Sequence, residues 1–385
     1  MKPIRKASGY MPPNKKVKGL SYKQALSVLN QHFTIPCAPN SEYSSEQLVE
    51  SLVYLTVEKK YAESGLENLA CTRKAPSADT LLRRVKGLRW RDAYNTLVEA
   101  NDQVIRKLKR KGIFKKPVMA AADLSNDRYY GEFNNKTCRG KYERGTCQFY
   151  RHASLHVVEA GKRATIFTVM VTPFDDHASI IEKLIQAARS KGIRIHTLLV
   201  DRGFYSVEAI NKLKQLRQRF LMPAVKHKGV KQAIEDYAKG LKPPVVNYTM
   251  TNAEKKQACF RLFIHRKKDA EPTDPVVNRY VAFATNMSID RVILAYNMLP
   301  EEYRKRWGIE TGFRVQDNVQ AKTTSKNFTV RAVYVMLSTI LYNVWVYANV
   351  ALAKKLKIDP KKPKIKLSQL THHFSTQIEQ PYKPP

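Results

Sequence analysis

Three acidic residues stand out by their surroundings. Asp123 closes the apolar run of "KPVMAAADLS", Asp201 closes that of "HTLLVDRGFY", and Glu310 lies in the charged and aromatic stretch "PEEYRKRWGIETGFR" (300–314). A carboxylate at the carboxyl end of a strand is carried on rigid backbone yet reaches out of the core, the usual place for ligands and metals in an α/β sheet. A single aspartate there is as readily a turn or a helix cap; two in one chain favour a site. Two carboxylates at strand ends and one on a later helix suit a pair of hard divalent cations, Mg²⁺ first, with Mn²⁺ as a substitute. Such a pair can activate an attacking oxygen and stabilise the leaving one in an in-line phosphoryl displacement.

The stretch around Glu310 reads as one helix. At about 100° per residue, Tyr303, Arg306, Trp307, Glu310 and Arg314 fall within roughly 100° of arc, with Ile309 and Phe313 on the flanking apolar side. A surface salt-bridge network accounts for a glutamate between two arginines. It does not account for the tyrosine and tryptophan on the same face. Basic and aromatic side chains together are suited to the phosphates and bases of DNA.

The overall charge agrees. The 385 residues include 68 Lys and Arg against 33 Asp and Glu, a formal balance of +35. That excess points to a polyanionic partner, with double-stranded DNA foremost. The five cysteines form no C-x-x-C pair and fit no disulfide framework, as expected of reduced thiols in the cytoplasm. No pair among the nine histidines has zinc-site spacing. The start, Met1 to Gly19, is basic and lacks the apolar segment of a signal peptide. Ala332 to Ala353 carries no charge over a length that could cross a bilayer. Its asparagines, hydroxyls and tyrosines mark it instead as a helix buried in a large core, so no membrane partner is expected.

Positioning these residues requires a mixed α/β frame. Residues 1–115 read as helical and basic, with Ser77 or Asp79 as a helix cap and with Arg83, Arg84, Lys86 and Arg89 crowded together. This region is a candidate DNA-binding domain; a solvated helical face is the alternative. Strands follow at "QFYRHASLHVV", "RATIFTVMVTPF", "IHTLLV" and "FLMPAV", interleaved with helices at "HASIIEKLIQAARSKG" and "SVEAINKLKQLRQ". Residues 116–227 form the first part of the core and 228–289 a β-rich insertion. Residues 290–353 hold the Glu310 helix and the buried helix. Residues 354–385 form a basic tail, rich in lysine and proline and expected to be poorly ordered. Asp175 and Asp176 in "TPFDDH" compete as acids, but a helix cap explains them. Asp127 and Glu132 fall in an expected turn or hairpin after Asp123.

"AADLS", "LLVDRGFY" and "YRKRWGIETGFR", in that order, resemble the three catalytic blocks of DDE transposases of prokaryotic insertion sequences. The resemblance is to the broad insertion-sequence-four superfamily with its Y-R-E-K signature, archaeal branches included, and runs from about Lys116 to Ala353. It implies an RNase-H-like catalytic domain interrupted by a β-rich insertion, with a helical N-terminal domain. It implies Asp123, Asp201 and Glu310 as catalytic metal ligands, Asp123 shared by both ions. It further implies Tyr303 and Arg306 on phosphate near the cleaved end; Trp307 and Arg314, and Arg202 after Asp201, are expected as further DNA contacts from their charge and aromatic character. The implied activity is cleavage at the element's inverted-repeat ends and joining of the 3′ ends to target DNA. The protein would act as a homodimer on paired ends and associate with the nucleoid. A domesticated DNA-binding relative and a non-mobile nuclease of the same fold are the alternatives. Two departures are visible. The signature's last lysine falls on Asp317, with Lys322 beyond it. Hairpin-forming relatives place a tryptophan in the insertion, whereas the tryptophans here are Trp90, Trp307 and Trp345.

Overall fold

The computed structural model describes residues 13–381. The first twelve residues of the expected basic region and the last four of the tail lie outside the described residues. Along the chain come five helices, α1 (Pro13–His32), α2 (Ser45–Glu58), α3 (Ala62–Ala70), α4 (Ala78–Lys86) and α5 (Trp90–Arg110). Four strands follow, β1 (Val118–Arg128), β2 (Cys138–Glu143), β3 (Thr146–Val157) and β4 (Thr165–Val171). Then α6 (His177–Ser190), β5 (Ile195–Val200), α7 (Val207–Gln215) and β6 (Phe220–Pro223) alternate. Next are α8 (Lys228–Ala238), β7 (Val245–Thr251), β8 (Gln257–Arg266), α9 (Val276–Arg279) and β9 (Tyr280–Thr285). The chain ends in α10 (Ile289–Leu294), α11 (Leu299–Arg304), α12 (Trp307–Gln316), α13 (Phe328–Leu356) and α14 (Leu367–Ile378).

Two compact units result, one of residues 113–314 and one combining residues 1–112 with 315–385. The first holds a nine-stranded mixed sheet in the order β2-β3-β1-β5-β6-β9-β8-β7, with β4 also on β3. Within it β4, β3 and β1 are antiparallel neighbours, and β1, β5 and β6 run parallel, as expected of an RNase-H-like core. Asp176 caps α6 by accepting from the Ser179 amide, and Ser206 caps α7. The segment 228–289, expected to interrupt the core, instead extends the main sheet: β9 pairs antiparallel with β6, then β8 and β7 follow. It also carries a helix, α8, whose apolar residues Val230, Ala233 and Ile234 are buried. One face of the sheet supplies Met119, Ala121, Leu199, Leu221, Phe263 and Phe283 to a core closed by Val292, Leu299 and Ile309 of α10, α11 and α12.

The second unit is helical. α13 is buried along most of its length and packs with α1, α2, α4 and α5. It is long and apolar enough to cross a membrane, but its burial makes it the core of this helical unit. The sequence reading grouped it with the catalytic core; the contacts group it with the N-terminal helices. The tail is also corrected. α14 buries Leu370, Phe374 and Ile378, lies on α2, and sets Phe374 edge-on to Tyr22 at 5.2 Å between ring centroids. The indole of Trp345 donates to the Ile365 carbonyl at 2.7 Å, fastening the connection. Lysine and proline are frequent in the tail, yet three apolar side chains at helical spacing suffice to dock one helix.

Candidate active site

Period-two alternation along a strand decides where the two aspartates point. Met119, Ala121 and Asp123 share one face of β1, and Leu199 continues to Asp201 on the same face of β5. The parallel register ends at Ala122 opposite Val200. The next residues, Asp123 and Asp201, therefore stand side by side, on the face that α12 covers. β1 does not stop at Asp123, as the apolar run suggests; it continues to Arg128 against β3 alone, with Asp123 opposite Ser154. Asp127 thus belongs to the strand, opposite Tyr150, rather than to a turn.

Glu310 arrives from a helix that is broken rather than continuous. α11 stops at Arg304, and the joint is tightened by Arg306 N–H to Tyr303 O at 2.8 Å and Ile309 N–H to Arg306 O at 2.8 Å. These three-residue-spaced bonds belong to 3₁₀ geometry, which turns the chain faster than an α-helix. The single wheel over residues 300–314 therefore does not hold. Ile309, fully buried, anchors α12 in the core. Phe313 adds an edge-on contact to His156 at 4.9 Å.

What the joint brings together is a guanidinium and three carboxylates. Arg306 Nη1 lies 3.2 Å from Asp123 Oδ2, while its Nη2 lies 2.8 Å from Glu310 Oε1 and 3.8 Å from Asp201 Oδ1. Tyr303 packs beside it, its ring centroid 5.7 Å from the guanidinium carbon and its hydroxyl donating to the Val200 carbonyl at 3.4 Å. Asp123 and Asp201 each spend one oxygen on local backbone. Asp123 Oδ1 accepts from the Leu124 amide at 2.8 Å, and Asp201 Oδ2 from the Gly203 amide at 3.2 Å, where it caps a short 3₁₀ turn. The cap reading of Asp201 is thus true of one oxygen and leaves the other for the cluster.

The three carboxylates differ in exposure: 17% for the Asp123 side chain, 40% for Asp201 and 57% for Glu310. Burial pushes Asp123 up to about 6; Arg306 opposes the rise, and Asp201 and Glu310 add to it. Burial also raises Tyr303, keeping its phenol neutral. Burial works against the charge on Arg306, but Tyr303 and the three carboxylates outweigh it and raise its pKa.

The other expected DNA contacts do not join this cluster. Trp307 is 62% exposed and lines an open cavity of about 530 Å³ together with Tyr303, Phe283, Lys267, Lys268 and Arg304. Arg202 and Arg314 are exposed. In the helical unit, Arg83, Lys86 and Arg89 are exposed, and Arg84 reaches the Pro36 carbonyl at 3.5 Å. Asp317, at the signature-lysine place, opens a 3₁₀ turn after α12, and Lys322 lies over the Tyr61 ring at 5.7 Å. Asp175 is absorbed structurally, accepting from the Thr172 amide and hydroxyl and pairing with Lys183. His152 and His156, unassigned from the sequence, are buried near Phe313 and held neutral by burial.

Residues 121–344, more than half of the chain, match the transposase DDE domain family model. The chain belongs to the DDE transposase family. A solved structure, the piggyBac transposase synaptic complex with hairpin DNA, is similar in fold, with a TM-score of 0.56 at 8% identity, over 94% of this chain and 78% of that one. A search of curated protein sequences returned no match. Family membership makes the chain a protein of DNA cutting and joining, and the matched segment contains Asp123, Asp201, Arg306 and Glu310.

Proposed function

We propose that this DDE transposase cleaves the ends of its own insertion sequence and joins the 3′ ends to target DNA, with Asp123, Asp201 and Glu310 as the catalytic carboxylates. The observation that carries the reading is the convergence of these three side chains, distant in sequence, on one guanidinium at the carboxyl ends of adjacent parallel strands. The Y-R-E part of the signature is present as Tyr303, Arg306 and Glu310, which supports an insertion-sequence-four-like reading, archaeal branches included.

The donor set fits a pair of Mg²⁺ ions. All three groups offer carboxylate oxygens, two of them partly committed to backbone amides that fix their rotamers. As they stand, no three His, Cys, Asp or Glu side chains among the described residues are close enough together to hold an ion; Arg306 stands between them. When bound, the ions would supply charge neutralisation and an activated attacking oxygen for phosphoryl transfer. The chain's own part is positional. Asp123 and Asp201 are fixed by register, Glu310 by the anchoring of Ile309, and Tyr303 packs against the Arg306 guanidinium. Arg306, once turned outward, pairs with a DNA phosphate through two donors. The exposed Trp307, Arg202 and Arg314 carry neighbouring bases and phosphates. Arg83, Arg84, Lys86 and Arg89 contact the terminal repeats. The protein acts as a homodimer on paired ends, in the cytoplasm of a prokaryote and bound to its nucleoid.

The test is Glu310→Gln in Mg²⁺-dependent cleavage of a labelled duplex carrying the terminal repeat. Cleavage and joining should be lost while end binding stays near wild type, because shape is retained and one anionic ligand is removed. Asp176→Asn is the control: it alters only a helix cap, costs at most about 1 kcal/mol, and should still cut. Cleavage by Glu310→Gln together with loss in Asp176→Asn would refute the assignment.

A further inference from the structure

We propose that Arg306 is a built-in placeholder cation, holding the three catalytic carboxylates together and competing with divalent ions for them. The inference rests on the proposed metal reading and adds a regulation to it. Three acidic groups facing one another would repel and splay apart if nothing positive stood between them. One guanidinium meets that need here, since its two terminal nitrogens reach Asp123, Asp201 and Glu310 at 3.2, 3.8 and 2.8 Å. Its position is over-determined. The side chain is only 11% exposed, lies against the Tyr303 ring, and springs from the 3₁₀ joint between α11 and α12. Its Nε has no hydrogen-bond partner, so the ionic hold on the guanidinium comes from the carboxylates at its far end.

Two consequences follow. An ion entering the carboxylate cluster must either tolerate a unit positive charge a few ångström away or drive Arg306 out. A displaced Arg306 has its donors free for an anion, and the nearest suitable anion in the reaction is a DNA phosphate. The same residue therefore pre-shapes the site before ions arrive and is released to the substrate when they bind.

The experiment titrates the full-length, DNA-free protein with Mn²⁺ and counts free ion by electron paramagnetic resonance. Wild type is compared with Arg306→Gln and Arg306→Lys, with circular dichroism to check folding. Arg306→Gln should bind Mn²⁺ roughly tenfold tighter or more, the size expected for removing a unit charge beside a divalent ion even at water-like screening. Arg306→Lys, which keeps the charge, should stay closer to wild type. Equal or weaker Mn²⁺ binding by a folded Arg306→Gln would overturn the proposal. A second readout follows the arginine itself in the wild-type protein. The Arg306 Nε–H resonance, assigned by its absence from the Arg306→Lys spectrum, should shift on Mg²⁺ addition, and an unmoved resonance on a site that binds ions would equally overturn it. Asp123→Asn and Glu310→Gln separate this from the underlying reading. If neither weakens Mn²⁺ binding, the metal site itself is misassigned and both fall.

Discussion

Asp123→Asn should make the metal-free protein more stable while removing its activity. The wild-type carboxyl is raised from the ordinary 3.8 to about 6, first by burial and then by its acidic neighbours, net of the help from Arg306. At about 1.4 kcal/mol per pH unit, keeping it ionised in the folded state costs about 3 kcal/mol. The sign follows from linkage. A folded pKa above the unfolded one means stability is greatest below about pH 4 and is lost as pH rises through about 6. Asparagine has the shape of the protonated acid and carries no charge, so it escapes that cost. Urea unfolding in EDTA should show Asp123→Asn more stable than wild type by about 3 kcal/mol near pH 8, with the gap closing near pH 4. Any titration of His152 and His156 is shared by both proteins and cancels. A variant that is less stable near pH 8, or a gap that ignores pH, would show that Arg306 outweighs burial and that the cluster is a stabilising ion-pair network rather than a strained site.

Two further outcomes follow from the fold and the charge. Phe374→Ala should cost about 3–5 kcal/mol, as for a large side chain truncated in a packed core, because Phe374 is only 1% exposed and sits edge-on to Tyr22; an unchanged unfolding midpoint would mean α14 is not docked. Binding to arbitrary duplex DNA should fall steeply with salt, with a log–log slope of about −0.9 per phosphate neutralised, since the chain carries a balance of +35; a flat salt series by fluorescence anisotropy would remove DNA from its partners.

The local chemistry of this chain determined a good deal by itself. Apolar runs gave β3, β4, β5 and β6 near their observed places and the first half of β1, and Ser77, Asp176 and Ser206 cap the helices they precede. The order of "AADLS", "LLVDRGFY" and "YRKRWGIETGFR" named the family, because each motif couples a carboxylate to the element that carries it. What depended on residues far apart was decided only by tertiary structure. Nothing within 228–289 says that β9 will pair with β6, because an open strand edge is matched by register and not by composition. The basic composition of the tail speaks against order, yet the partner surface on α2 and α1 supplies the burial that α14 lacks alone. The helix break at Lys305 and Arg306 has only Gly308 near it as a local signal; Ile309 packs in the core beneath the sheet and the Tyr303 hydroxyl bonds the Val200 carbonyl on either side of it. That break places Arg306 among Asp123, Asp201 and Glu310, three residues whose proximity follows from strand register and core packing over separations that no local pattern spans.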